Sequence, residues 1–197
     1  MERLSRYSKG FSLVLSIAVI LLLLGIIGVI IVMLITGASP AESISAEPST
    51  GGLLITFSHF PAFRWTVNIP SGVSLNAPFP FDPQAAAIGA LVKVLVTLVF
   101  NLTLLYLARR FFLNLAHSGS RPFSAASANI VRKVGWLSLA YGVFFPCVAL
   151  FCDQLVFQAA VFQLQAEPFF FGVSAVLLSH LLYYGAILQD RNTTEKL

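Results

Sequence analysis

Four apolar stretches, each long enough to cross a lipid bilayer, constrain this chain more than any other feature. They cover residues 11–36, 86–108, 134–157 and 169–189. The hydrocarbon layer of a bilayer is ~30 Å thick and takes ~20 helical residues to cross. Only 10% of the residues are charged and 57% are hydrophobic, whereas soluble domains carry about 25% charged residues. The sequence therefore predicts an all-α integral membrane protein with four transmembrane helices in a single membrane domain, residues 1–197.

The positive charges predict the orientation of these helices. Of twelve Lys and Arg residues, ten fall in the three segments that odd–even counting of the spans places on one side. These ten are Arg3, Arg6, Lys9, Arg109, Arg110, Arg121, Arg132, Lys133, Arg191 and Lys196. Because cytoplasmic segments carry the excess of Lys and Arg, we expect both termini and the 109–133 segment in the cytoplasm. The cations are dispersed around the membrane exits, a distribution that argues against direct nucleic-acid binding.

The outer segment, residues 37–85, is longer than a plain connection between helices. Residues 64–69 alternate between polar and apolar side chains, residues 54–59 alternate nearly as well, and residues 60–63 can supply a turn between them. One face of the second stretch would carry Trp65, Val67 and Ile69. We expect a small outer β-hairpin between helices 1 and 2. Its apolar face must rest on the helix ends, on the bilayer surface or on a partner.

The remainder of the outer segment predicts linkers and then a helix start. Ala38–Gly52 and Pro70–Pro83 are rich in Ser, Pro and Gly, a composition typical of irregular structure. Asp82 can cap the N-terminus of helix 2, with Pro83 at its first position. That helix is expected to run to about Ser118.

Helices 2 and 3 are expected to extend beyond the membrane as a cytoplasmic helical hairpin, residues 109–133. Gly119 is a suitable helix stop, and Ser124 can cap helix 3. No acidic residue lies between Arg109 and Lys133. The hairpin is therefore predicted to be a basic surface at the membrane exit.

Two further patterns concern the middle of the chain. Tyr106 and Trp136 fit the inner membrane interface, where amphipathic aromatic side chains settle. Ser138 and Gly142 are four residues apart, and small residues at this spacing permit close approach of two helices.

The two cysteines, Cys147 and Cys152, are five residues apart on one helix and would be too distant for a disulfide.

The middle loop resembles a family of small bacterial four-pass membrane proteins, known as domain of unknown function 2975. The resemblance rests on Arg109–Phe112, Ser118–Ser124 and Asn129–Trp136, with support from Tyr184–Asp190 near the end of the fourth span. An extra residue between the glycine and the proline of the turn departs from the family pattern, and the acid-rich tail is weaker. The resemblance implies a bacterial plasma (inner) membrane location and no known catalytic residues. Such proteins are often encoded beside small helix-turn-helix regulators, which implies a cytoplasmic regulator as a partner.

Four polar residues inside the spans are candidate functional groups, because ionisable side chains in a bilayer are costly. Lys93 and Asp153 lie at similar depths, so they can form an ion or proton site, or a structural bridge, unless Lys93 extends outward to the interface. His180 lies near the middle of span four and can be a sensor or proton relay, or a hydrogen-bonding contact between helices. Asn101, deep in span two, can be a partner of His180, either in such a site or as a hydrogen-bonding contact between helices.

The basic residues of the hairpin form the best interaction candidate: Arg109, Arg110, Arg121, Arg132 and Lys133. They can set the topology alone, contact anionic lipid at ~1 kcal/mol each, or receive the acidic face of a partner. No enzyme motif, metal-ligand spacing or cofactor motif is present in the sequence. We therefore expect a non-enzymatic interaction, sensor or regulatory-anchor protein without a cofactor. The alternative is a small transporter or channel, a homo-oligomer, using Lys93, Asp153 and His180.

Overall fold

The computed structural model describes residues 2–49, 52–57, 60–70, 73, 81–117, 124–159 and 162–194. Within them lie four long helices, α1 (Glu2–Ala38), α2 (Pro83–His117), α3 (Ala125–Phe157) and α4 (Ala166–Thr194). Each contains a stretch long and apolar enough to cross a membrane, of 29, 33, 33 and 24 residues in chain order. The expected multi-pass helical architecture is therefore confirmed at the level of helix length and composition.

The predicted helix starts are confirmed by their hydrogen bonds. The backbone N–H of Gln84 donates to Asp82 Oδ1 at 2.9 Å, and the backbone N–H of Ser127 donates to Ser124 Oγ at 3.1 Å. Each bond satisfies one of the N–H groups that a helix start leaves without an intrahelical partner. Helix α2 ends at His117, one residue before the expected end, while Gly119 and the tip of the hairpin lie outside the described residues.

A three-stranded antiparallel sheet replaces the two-stranded hairpin expected from the sequence. Its strands are β1 (Ile44–Ser49), β2 (Gly52–Phe57) and β3 (Phe60–Val67), in the order β1-β2-β3. Two predictions were wrong. Residues 44–49 were assigned to a linker, and residues 60–63 were assigned to a turn although they begin β3.

Strand β1 was not predicted because its amino-acid composition is unfavourable for a strand. Residues 44–49 include Glu47 and Pro48, which have low strand propensity. Pairing with β2 compensates for this, with Ile44 opposite Phe57 and Pro48 opposite Leu53. Because β1 is an edge strand, the missing N–H of its proline is tolerated.

The apolar face of the sheet packs against the start of α2. Of the three possibilities named from the sequence (helix ends, the bilayer surface or a partner), the structure therefore shows the first. Leu53 and Ile55 are fully buried, and they pack in one cluster with Phe81 and with Ala86 and Ala87 of α2. The small side chains at the start of α2 let the strand residues approach the helix. At Gly52 an added Cβ would overlap the carbonyl oxygen of Val67, so the start of β2 excludes any side chain.

A long-range hydrogen-bonded contact joins the end of α1 to the start of α2. The Gln84 side-chain amide donates to the carbonyl oxygens of Thr36, at 2.7 Å, and Ser39, at 3.2 Å. Carbonyl groups at a helix C-terminus lack intrahelical donors, and Gln84 supplies one from 48 residues away.

The chain forms two compact units. The helical unit consists of Met1–Leu24, Val99–Phe144 and Leu164–Leu197, and the sheet-bearing unit consists of Gly25–Leu98 and Phe145–Gln163. The sheet and the residues around Lys93 belong to the sheet-bearing unit. The basic ends of α2 and α3, together with all of α4, belong to the helical unit.

Within the helical unit, α3 and α4 are in close contact through small residues. A Cβ added at Gly135 would lie 2.8 Å from the carbonyl oxygen of Gly172, and one at Gly172 would lie 2.8 Å from that of Gly135. Gly142 faces Gln165 and Phe169 in the same way, which confirms the close approach expected at that position. Ser138, between the two α3 glycines, is 1% exposed.

Candidate functional site

Lys93 and Asp153 form an ion pair between α2 and α3 in the sheet-bearing unit. Lys93 Nζ lies 2.8 Å from Asp153 Oδ1, and the two side chains are 20% and 19% exposed. The pair therefore exists as the sequence allowed. It lies close along both helices to Ala90 and Val156, which pack against the core of the sheet.

An apolar cavity of about 600 Å³ lies between α2 and α3 of the same unit. Its lining includes Gly89, Val92, Cys152 and Val156, and neither Lys93 nor Asp153 belongs to it. Cys152 is buried and Cys147 is exposed, and both are free thiols. The ion pair joins α2 to α3 without lining this cavity, a geometry that fits a bridge between two helices.

In the helical unit, aromatic contacts fix the register of α2 against α3. Phe100 stacks on Tyr141 with ring centroids 3.9 Å apart. Counting from this contact at 1.5 Å per residue, Tyr106 and Trp136 lie at the same level, ~8 Å further along. Tyr106 is 50% exposed and Trp136 is 61% exposed, as side chains of an interfacial aromatic belt would be.

The basic residues follow within one turn of these two aromatic side chains. Arg109 and Arg110 come after Tyr106 on α2, and Arg132 and Lys133 precede Trp136 on α3. Arg110, Arg132 and Lys133 are exposed, whereas Arg109 is half-buried. Arg109 Nε is buried and has no hydrogen-bond partner in the part of the chain that the structure describes. Arg121, the fifth residue of the predicted set, lies outside that part.

His180 belongs to a polar groove between α3 and α4, also in the helical unit. The groove has a volume of about 430 Å³ and is lined by Ala125, Ala128, Asn129, Arg132, Ser179, His180 and Tyr183. His180 therefore lies near the basic helix ends, beyond the level of Trp136. The structure groups it with Arg132, and not with Lys93 and Asp153, which lie in the other unit.

Besides Arg132 and His180, the groove contains the hydrogen-bonding side chains of Asn129, Ser179 and Tyr183, which were not among the candidates from the sequence. Arg132 Nη2 donates to Asn129 Oδ1 at 3.3 Å, and Ser179 Oγ donates to the carbonyl oxygen of Val176 at 2.6 Å. Tyr183 supplies a phenol hydroxyl. Their proximity depends on the register between α3 and α4. Residue spacing within either helix carries no signal of that register.

The fourth candidate, Asn101, is exposed on α2 in the helical unit. The Asn101 side chain lines neither the groove nor a second cavity of about 350 Å³ between α2, α3 and α4. Among the described residues, no group of three His, Cys, Asp or Glu side chains could hold a metal ion.

Comparison with known protein families, with curated proteins and with solved structures gave no match for the chain.

Proposed function

We propose that this chain is a plasma-membrane protein of the inner bacterial membrane that acts by binding, as an anchor or sensor for a cytoplasmic regulatory protein. In this proposal all four helices cross the bilayer and both termini lie in the cytoplasm. The positive charges support this orientation, because ten of the twelve lie in segments on one side of the spans.

One observation carries the proposal: four of the five basic residues, Arg109, Arg110, Arg132 and Lys133, lie on helices. Helix α2 continues past Tyr106 to His117, and α3 already begins at Ala125. Arg110, Arg132 and Lys133 are exposed on these extensions. Residues on a helix require less backbone ordering on binding than residues on a flexible segment, so less conformational entropy is lost. An acidic protein surface is the complement of such a face, and anionic lipid headgroups would contact the same cations at its membrane edge.

The resemblance to the four-pass family favours a helix-turn-helix regulator as the cytoplasmic partner. The regulator would contact DNA, while this chain would contact only the regulator and lipid. The chain would have neither catalytic residues nor a cofactor. Holding the regulator at the membrane would make its availability depend on the state of the membrane protein.

The experiment is photo-crosslinking in living cells from residue 126 of α3. Ala126 is exposed in the first turn of α3, so a photoreactive side chain there should capture the partner without disturbing packing. We expect one soluble protein to be captured, and the Arg110→Gln/Lys133→Gln variant to lose most of that product. Arg64→Gln, which removes one exposed cation from the outer sheet, is the matched control and should leave capture unchanged.

Two results would contradict the proposal. The first is recovery of only lipid or a second copy of the chain from residue 126. The second is capture of a soluble protein that survives the Arg110→Gln/Lys133→Gln change undiminished, because the basic surface would then have no part in it.

A further inference from the structure

The groove formed by α3 and α4 around Arg132 and His180, defined above by its seven lining residues, differs chemically from the other cavities described. The cavity of about 600 Å³ and the cavity of about 350 Å³ are lined almost wholly by aliphatic, aromatic and glycine residues. The groove of about 430 Å³ is lined by five polar residues and two alanines. A polar cavity of this size admits a small polar ligand.

The side chains of the groove are mainly hydrogen-bond donors. Arg132 is a permanent cation with five N–H groups, and one of them contacts Asn129. Since Asn129 Oδ1 accepts that bond, its amide nitrogen has two N–H groups to donate elsewhere. His180 and Tyr183 add an imidazole and a hydroxyl. None of the seven lining residues is acidic, so the groove favours an anion.

The two alanines of the groove lie in a region of positive electrostatic potential. Ala125 and Ala128 belong to the first turn of α3, whose cap is Ser124. The N-terminal turn of a helix carries a partial positive charge, which here adds to the charge of Arg132. These alanines also keep the groove open, because they project no side chain beyond a methyl group.

We infer that this groove binds a phosphate group carried on a small polar body, with Arg132 and His180 as its principal ligands. A guanidinium matches two phosphate oxygens with paired N–H donors, and the volume exceeds that of phosphate alone. The groove includes Arg132 and the first turn of α3, close to the residues proposed above to contact anionic lipid. The phosphate can therefore belong to an anionic lipid or to a soluble phosphate ester. This inference needs no protein partner, and only its lipid source rests on the membrane orientation of the proposed function.

The test measures binding by the full-length protein purified in detergent and in nanodiscs. In detergent, the probe is glycerol 3-phosphate, followed by isothermal titration calorimetry. In nanodiscs, the probe is phosphatidylglycerol in a phosphatidylcholine background, followed by the number of lipids retained in native mass spectrometry. Binding in both arms would show that the groove accepts both a soluble phosphate ester and a lipid headgroup. Binding in nanodiscs alone would show that the ligand is the lipid. Either result supports the shared phosphate chemistry.

Matched variants separate a built site from general attraction by charge. Arg132→Gln and His180→Gln should each weaken binding about tenfold or more, the effect of losing a hydrogen bond to a charged group. Arg191→Gln is the control, since it removes the same charge from an exposed residue of α4 that does not line the groove. It should change affinity less than about threefold.

A steric variant keeps the test independent of charge and of any folding defect. Ala125 is exposed and lines the groove, so Ala125→Leu should narrow the groove and weaken binding while the thermal midpoint of the unliganded protein stays unchanged. Absence of binding by the unaltered protein in both arms would overturn the inference. Equal losses in Arg132→Gln and Arg191→Gln, or full affinity in both His180→Gln and Ala125→Leu, would overturn it as well.

Discussion

At the scale of single residues, the Lys93–Asp153 pair is the contact with the clearest energetic consequence. The two charged groups are 2.8 Å apart and about one-fifth exposed, on stretches of α2 and α3 that carry no other charged residue. A single charge at the centre of a membrane helix costs about 2.5–3.5 kcal/mol on insertion scales. The ion pair lowers this free-energy cost for both side chains. When one partner is removed, the remaining charged side chain again carries the full cost.

A double-mutant cycle follows from this. Lys93→Met and Asp153→Leu should each destabilise the protein by about 2–3 kcal/mol, because each leaves one charge unpaired. The double variant should recover most of the loss, since no unpaired charge remains. The measurement is the free energy of unfolding in mixed micelles.

The same variants distinguish a bridge from a transport site. Flux of ions or small solutes into liposomes that is lost in the stable double variant would contradict a purely structural bridge. Such a result would support the transporter alternative.

Residue-scale predictions succeeded where they depended on local rules. The caps at Asp82 and Ser124 could be predicted because a cap and its helix are neighbours in sequence. The ion pair could be predicted because two antiparallel helices bring equal depths together. The contact of Gln84 with the end of α1 could not be predicted, because nothing local specifies a partner 48 residues away.

At the scale of elements, the interface between α3 and α4 is determined by three glycines. Gly135 and Gly172 each approach the backbone of the facing helix, and Gly142 approaches the start of α4. In a bilayer, small residues let helix backbones approach and gain van der Waals contact. The register that they impose is what places His180 beside Asn129 and Arg132.

We therefore expect Gly172→Ala to destabilise the protein by about 1–3 kcal/mol, the usual cost of overpacking. Its new methyl group would lie 2.7 Å from a side-chain carbon of Leu139. Gly25→Ala is the matched control, since nothing lies within 4 Å of a Cβ at that position of α1. The control should leave the stability unchanged or raise it slightly, because alanine has a higher helix propensity than glycine. Thermal midpoints of the two purified variants give the comparison, and equal midpoints would count against the close packing of α3 on α4.

The sheet shows where element prediction fails for a physical reason. Strand β2 alternates cleanly, with Leu53, Ile55 and Phe57 buried, and its strand character was visible in the sequence. Strand β1 also alternates, with Ile44, Ala46 and Pro48 at every second position. Alanine, glutamate and proline have low strand propensity, however, and this segment forms a strand by pairing with β2. The register between α3 and α4 could not be predicted either. In an apolar membrane helix every face has a similar composition, so the sequence does not show which small residues contact another helix.

At the scale of the whole molecule, four long apolar helices and a basic set of helix ends are the features that any function must use. Helix α1 exposes large apolar side chains along its length, among them Leu13, Leu24 and Leu34. Such a helix is stable in lipid and would be a liability in water. The sequence predicted this much correctly, since hydrophobic length alone decides it.

We propose that the chain crosses the membrane four times and leaves both ends in the cytoplasm. The most direct test places single cysteines in a Cys147→Ala/Cys152→Ala background and labels intact cells with a membrane-impermeant maleimide. We predict labelling of Ser45→Cys on the outer sheet in intact cells, whereas Ser5→Cys, Ala126→Cys and Asn192→Cys should react only after lysis. Reaction of Asn192→Cys in intact cells would contradict the claim, because α4 would then fail to cross.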